Sequence, residues 1–154
     1  MAELKERLRS DLTAAMKAQD KLRTATLRML LAAITNAEVA GKESRELTDA
    51  DVVKVLAREA KKRAEAATVY DQNGRGELAA NERAEAMVIE DYLPRQLTEA
   101  ELADVVDTAL AQVAEEIGRR PTQKEMGLVM RAATADAQGK ADGARISAAV
   151  RARL

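Results

Sequence analysis

A 154-residue chain with no histidine and no cysteine lacks the side chains that most often move protons, attack as nucleophiles or hold transition metals near neutral pH. It excludes disulfides and thiolate metal sites, and with no Phe, no Trp and two Tyr it excludes an aromatic-rich β-sandwich core. Its 25 basic and 26 acidic residues leave a net charge of -1, so no global field draws it to nucleic acid or to an anionic membrane, and local clustering must decide its partners.

Seven Gly and two Pro leave few turns, and burial has to come from Leu, Val, Ile, Met and many Ala, which favours closely packed helices. The length suits one domain or two small ones. The opening MAELKERLRSDL is charged throughout and carries no apolar signal core. The longest apolar run, Met29 to Ile34, is about one and a half helical turns, too short to span a bilayer. A soluble, cytoplasmic protein with no membrane partner is expected.

In chain order, Leu4, Leu8, Leu12 and Met16 recur every four residues and predict a first helix with a narrow apolar stripe. Asp20 reads as the N-cap of a second, with Leu27, Leu30, Leu31 and Ile34 facing inward and an end near Gly41 in the left-handed conformation. Thr48 and Asp51 form a capping box for a third helix through Val52, Val55 and Leu56 to Tyr70. Asn73, Gly74 and Gly76 break the pattern before a fourth helix, which carries Leu78, Met87, Ile89 and Tyr92 up to Pro94.

Pro94 disfavours helix at Leu93 and precedes a second box, Thr98 with Glu101, so the boundary falls there: an N-terminal domain over 1–94 and a tail over 95–154. Leu102, Val105, Val106, Ala109, Leu110, Val113 and Ile117 form one apolar face ended by Gly118. A third box, Thr122 with Glu125, opens a helix through Met126, Val129, Met130 and Ala133, and a last helix starts near Asp142 and uses Ile146, Val150 and Leu154. The expected fold is all-α, with two small helical subdomains, the second a three-helix tail bundle.

Candidate chemistry is sparse. None of Ser10, Ser44 and Ser147 sits in a Gly-rich turn that would expose a nucleophile, so no catalytic residue is assigned. Glu82, Glu85 and Glu90 share part of a helix surface, but without a histidine nearby a solvated face outweighs a metal site, and no metal or cofactor is expected. Gly74-Arg75-Gly76 lacks phosphate-loop spacing; Gly74 is expected to stop a helix while Arg75 reaches a carboxylate across the junction.

Two basic features have coherent spacing. Lys54, Arg58, Lys61 and Lys62 project from one stripe of the third helix and could track phosphates; the alternative is a solvated surface paired with Glu59 or Glu65. After Gly118, eight cations face only Glu125, Asp136 and Asp142. Of these, Lys124, Arg131, Lys140 and Arg145 are the candidate RNA contacts. No aromatics interleave, so base stacking is not expected, whereas recognition of folded RNA by shape is.

Several segments also carry a resemblance. Leu27-Arg28-Met29-Leu30 with Ala33, Ile34, Asn36 and Glu38, then Lys61-Lys62-Arg63, Gly74-Arg75 with Leu78, Glu82 and Glu85, and Tyr92-Leu93-Pro94 with Gln96-Leu97 together resemble the YqeY-type proteins of the GatB/YqeY group. Met126-Gly127, Val129-Met130, Gly139-Lys140, Asp142, Val150 and Leu154 resemble the tail domain of GatB, a subunit of the glutamine-dependent aminoacyl-tRNA amidotransferase whose tail helps hold tRNA. The resemblance implies an all-helical architecture and a link to carbon–nitrogen ligase activity with glutamine as amide donor. The large catalytic cradle of GatB has no counterpart here, so the reaction is not carried over.

The expected function is a non-catalytic module associated with tRNA, aminoacyl-tRNA or an amidotransferase, in which the tail docks on the RNA and the third-helix stripe is a second contact. The alternatives are a protein-binding adaptor for an amidotransferase or an aminoacyl-tRNA synthetase, and an accessory to amide transfer. Gly127 is expected to permit close helix approach, with Met126 and Met130 packing and Lys140 placed to meet an anion.

Overall fold

The computed structural model describes residues 2–154. The described residues form seven α-helices and no strand, and the chain divides into two compact units, one ending at Leu93 and the other running from Pro94 to Leu154.

The first unit contains α1 (Glu3–Lys17), α2 (Lys21–Val39), α3 (Asp49–Gln72) and α4 (Gly76–Glu90). Its core is aliphatic, with Leu8, Leu27, Leu30, Ile34, Val52, Leu56 and Ile89 fully buried and Tyr92 at its edge. On α1 the stripe differs from expectation: a four-residue repeat drifts about 40° per step around a helix, so Met16 ends 49% exposed. The inward line is Lys5, Leu8 and Ala15, with Leu12 half-buried.

Asp20 caps α2, its carboxylate accepting from the Arg23 amide at 3.1 Å. The helix stops at Val39, and Gly41 does not take the left-handed conformation expected of it. The chain turns back instead as the Arg45 amide donates to the Glu38 carbonyl at 3.0 Å. Thr48 and Asp51 form the expected box, each side chain accepting from the other's backbone amide, and α3 continues two residues past Tyr70. Gly74, at φ 71°, closes α3.

On α4 the buried residues are Ala79, Ala86, Val88 and Ile89, whereas Leu78 and Met87 are 42% and 68% exposed. Small buried residues on both helices, Ala67 on α3 and Ala79 and Ala86 on α4, let this hairpin pack closely. Arg75 pairs with no carboxylate among the described residues; Arg83 of α4 pairs with Asp71 of α3 across the hairpin instead. A long arginine already inside α4 spans that gap without ordering the turn.

The second unit contains α5 (Glu99–Ile117), a single 3-10 turn (Gln123–Glu125), α6 (Met126–Ala137) and α7 (Gly143–Arg151). Leu102, Val106, Ala109 and Val113 of α5 meet Val129, Ala133 and Ala137 of α6 and Ile146 and Val150 of α7 in one core. The Thr98–Glu101 box starts α5, and Gly118 ends it at φ 72°. The Thr122–Glu125 box caps the 3-10 turn, so α6 begins one turn later than the box alone suggests. Asp142 caps α7, accepting from the Arg145 amide at 2.8 Å. Met126 and Met130 are half-buried against the core, but a Cβ on Gly127 would meet nothing within 4 Å, so this glycine is not a point of close approach.

Candidate nucleic-acid interface

On α3, Val52, Leu56 and Ala60 point into the core. At about 100° per residue, Lys54, Arg58 and Lys61 then fall within about 60° of one another on the opposite side, spread along about 10 Å of helix. All three are exposed, and no ion pair holds any of them among the described residues. Lys62 sits on the flank, 3.4 Å from Glu59. Glu65 continues the same face one turn later, and it too makes no pair with Lys61. Glu59 lies at least about 100° around the helix from the three, on the side where Arg63 holds it at 2.9 Å.

The four tail candidates do not share one environment. Lys124 in the 3-10 turn and Arg131 on α6 are exposed and unpaired among the described residues. Arg131 lies about 200° around α6 from buried Val129, facing away from the core. Lys140 is half-buried, and its carbonyl accepts from the Leu97 amide at 2.7 Å, tying the start of the unit to the α6–α7 loop. Arg145 is internally engaged: one guanidinium nitrogen donates to the Leu97 carbonyl at 2.7 Å and to Glu99 at 2.9 Å. Of the other cations after Gly118, Arg119 pairs with Glu125, and Arg153 with Asp107 at 2.7 Å.

Three polar clusters escaped the sequence pattern. Lys5 lies on the buried side of α1 with its ammonium 2.7 Å from Glu38, whose other oxygen accepts from the Leu47 amide at 3.3 Å. The lysine bond holds the Glu38 carboxyl below its ordinary value against the opposing effect of burial. Arg63, facing inward between α2 and α4, donates to Glu85 at 3.1 Å and to Glu59, with Met29 against its third nitrogen. Glu85 is therefore a structural partner and not part of a solvated acidic face.

Tyr92 is the third cluster. Its hydroxyl donates to Asp11 at 2.6 Å and accepts from Arg23 at 2.9 Å, and Arg7 stacks over the ring at 4.8 Å. Burial first, and the bond to Asp11 second, push its pKa up to about 12, so the phenol stays neutral and serves as an anchor for the end of α4. Its signal in the sequence was the rarity of the residue: it is one of two aromatics, just before the break at Pro94.

The capping acids are strongly ionised. Glu101 falls to about 2 through Arg95 and the Thr98 amide, and Glu125 to about 2 through Arg119 and the Thr122 amide. Among the described residues no three acids converge as a metal site, and Ser10, Ser44 and Ser147 make no side-chain hydrogen bond. No helix among them is long and apolar enough to cross a membrane.

Fold and surface thus define a class: a two-unit, all-helical protein whose most distinctive exposed feature is a cationic face on α3. The family profile described as "Yqey-like protein" matches residues 5–154. "Altered inheritance of mitochondria protein 41, mitochondrial" of Meyerozyma guilliermondii is 32% identical over 124 residues, covering 79% of this chain and 64% of that relative's length. The chain belongs to the YqeY-like family.

Proposed function

We propose that this protein is a non-catalytic RNA-associated module that grips the backbone of a folded RNA through the outer face of α3. The observation that carries the reading is the alignment of Lys54, Arg58 and Lys61 on one exposed arc without an acidic partner. Cations already paired with carboxylates release no counterions on meeting phosphate, whereas three free ones on a rigid helix do. Lys124 and Arg131 supply further contacts on the tail, Lys62 and Lys140 lesser ones, and Arg145 the least because it is held by Glu99 and the Leu97 carbonyl.

The tail's resemblance to that of GatB supports tRNA or aminoacyl-tRNA as the RNA class, with an amidotransferase as the associated enzyme. Bond making then belongs to that enzyme, and a cysteine-free chain suits a cytoplasmic setting. The sparse aromatics favour recognition through backbone and shape. The test is tRNA binding by the full chain and by a Lys54→Ala/Arg58→Ala/Lys61→Ala variant of unchanged helicity. At moderate salt the variant should bind at least about tenfold more weakly; equal affinity would reject the α3 grip.

A further inference from the structure

Of the seven glycines, Gly127 alone stands inside a continuous helical segment. Gly74, Gly118 and Gly139 take positive φ, Gly76 and Gly143 open α4 and α7, and Gly41 lies in the bend after α2. Gly127 instead carries the 3-10 turn on into α6, is exposed, and has open space where a Cβ would stand. Glycine inside an exposed helix weakens it relative to alanine, and no turn or neighbouring helix among the described residues offsets that loss here.

At about 100° per residue, Gly127, Leu128, Arg131 and Ala135 fall on the side of α6 opposite buried Val129, Ala133 and Ala137, and all four are exposed. Lys124 stands exposed just before them, about 10 Å from Arg131 along the axis. Neither cation has an acidic partner among the described residues: Glu125 is buried and paired with Arg119, and Asp136 lies about 140° around the helix from Arg131. The face is thus cationic at both ends, apolar at Leu128 and bare of side chain at Gly127. We infer that this outer face of α6 is a second RNA seat, in which Gly127 lets a ribose–phosphate backbone lie directly against the helix, with phosphates on Lys124 and Arg131 and the apolar side of a ribose on Leu128. The inference rests on the reading of the protein as RNA-associated and adds to it a contact set by shape. Two unpaired cations select a polyanion, whereas an apolar partner helix would leave both unmatched. With no Cβ, glycine admits the close approach of another backbone; a methyl there would hold the strand off both charges.

The test uses the full chain, tRNA and Gly127→Ala, a substitution that removes no charge. The variant should unfold at a higher urea concentration than the wild type, because alanine suits an exposed helix better, and yet bind tRNA at least about fivefold more weakly, the lower range for forcing a methyl into a packed contact. Its salt slope should be unchanged, whereas Lys124→Ala/Arg131→Ala should make the slope shallower by about 2. On addition of tRNA, the backbone amides of Gly127, Leu128 and Arg131 should shift in NMR spectra of the full chain. Equal tRNA affinity for Gly127→Ala and the wild type would overturn the inference and leave the α3 grip to its own triple variant. So would lowered stability of Gly127→Ala, which would make the glycine structural, or wild-type self-association abolished by the substitution, which would give the face to a second copy of this chain. No tRNA binding by the wild type would refute the RNA reading itself, and this contact with it.

Discussion

Lys5→Met is expected to destabilise the first unit far more than the loss of a surface lysine would. The ammonium and the Glu38 carboxylate are 2.7 Å apart, with side-chain exposures of 10% and 12%. Exposed ion pairs contribute about 0–1 kcal/mol, while breaking a buried pair by removing one partner costs about 3–5 kcal/mol. With a tenth of each side chain still reaching water, a loss of about 2–3 kcal/mol is expected. Methionine keeps the lysine stem's volume, so the loss is that of the charge and not of packing. Urea unfolding followed by circular dichroism supplies the assay.

The double variant Lys5→Met/Glu38→Gln should recover most of that loss, because the amide oxygen of Gln can still accept from Leu47 and no charge is left unpaired. The pH dependence has a definite sign. The Glu38 carboxyl is lowered in the folded state, so its contribution is present above the ordinary carboxylate value and lost as pH falls through the folded one. Lys5→Met should flatten that acid limb. A variant within about 0.5 kcal/mol of the wild type, with an unchanged acid limb, would refute the reasoning.

Other outcomes follow from the same structure. Gly118→Ala should cost about 1 kcal/mol because the residue sits at φ 72°, where a Cβ is strained even with open space around it; denaturant titration reads the change. Thr48→Ala and Thr98→Ala should each cost about 1 kcal/mol as lost caps, additively since they lie in separate units. Arg119→Ala should raise the Glu125 pKa from about 2 towards its ordinary 4.5, since Arg119 is the largest cause of the depression; a carbon-13 NMR titration of the carboxyl would expose an unmoved value. Met87→Glu should leave stability within about 0.5 kcal/mol, because that side chain is 68% exposed.

Much of the architecture was legible in the sequence because local rules sufficed. Asp20, Thr48, Thr98, Thr122 and Asp142 mark helix starts through bonds made within three residues, and the structure forms each of those bonds. Gly118 announces a left-handed stop and provides one. What local pattern misses is whatever depends on a distant partner. Lys5 looks like one more surface lysine until Glu38, 33 residues away, covers it, and Met16, Leu78 and Met87 look apolar enough to bury but stay 49%, 42% and 68% exposed.

The candidate interface divides the same way. The α3 stripe follows from spacing on one helix and needs no tertiary information. The tail surplus was a sum over a segment, and it hid the fact that Arg145 and Arg153 are bonded to acids on α5, 46 residues earlier in both cases. Glu99 and Asp107 belong to a helix outside the segment over which charges were summed.

The slope of log binding constant against log salt for tRNA tests the central claim most directly. If Lys54, Arg58 and Lys61 each neutralise one phosphate, the triple alanine variant should show a slope shallower by about 3 than the wild type, roughly 1 per cation lost, with circular dichroism unchanged. Equal slopes for the two proteins would contradict the account, whatever the absolute affinities.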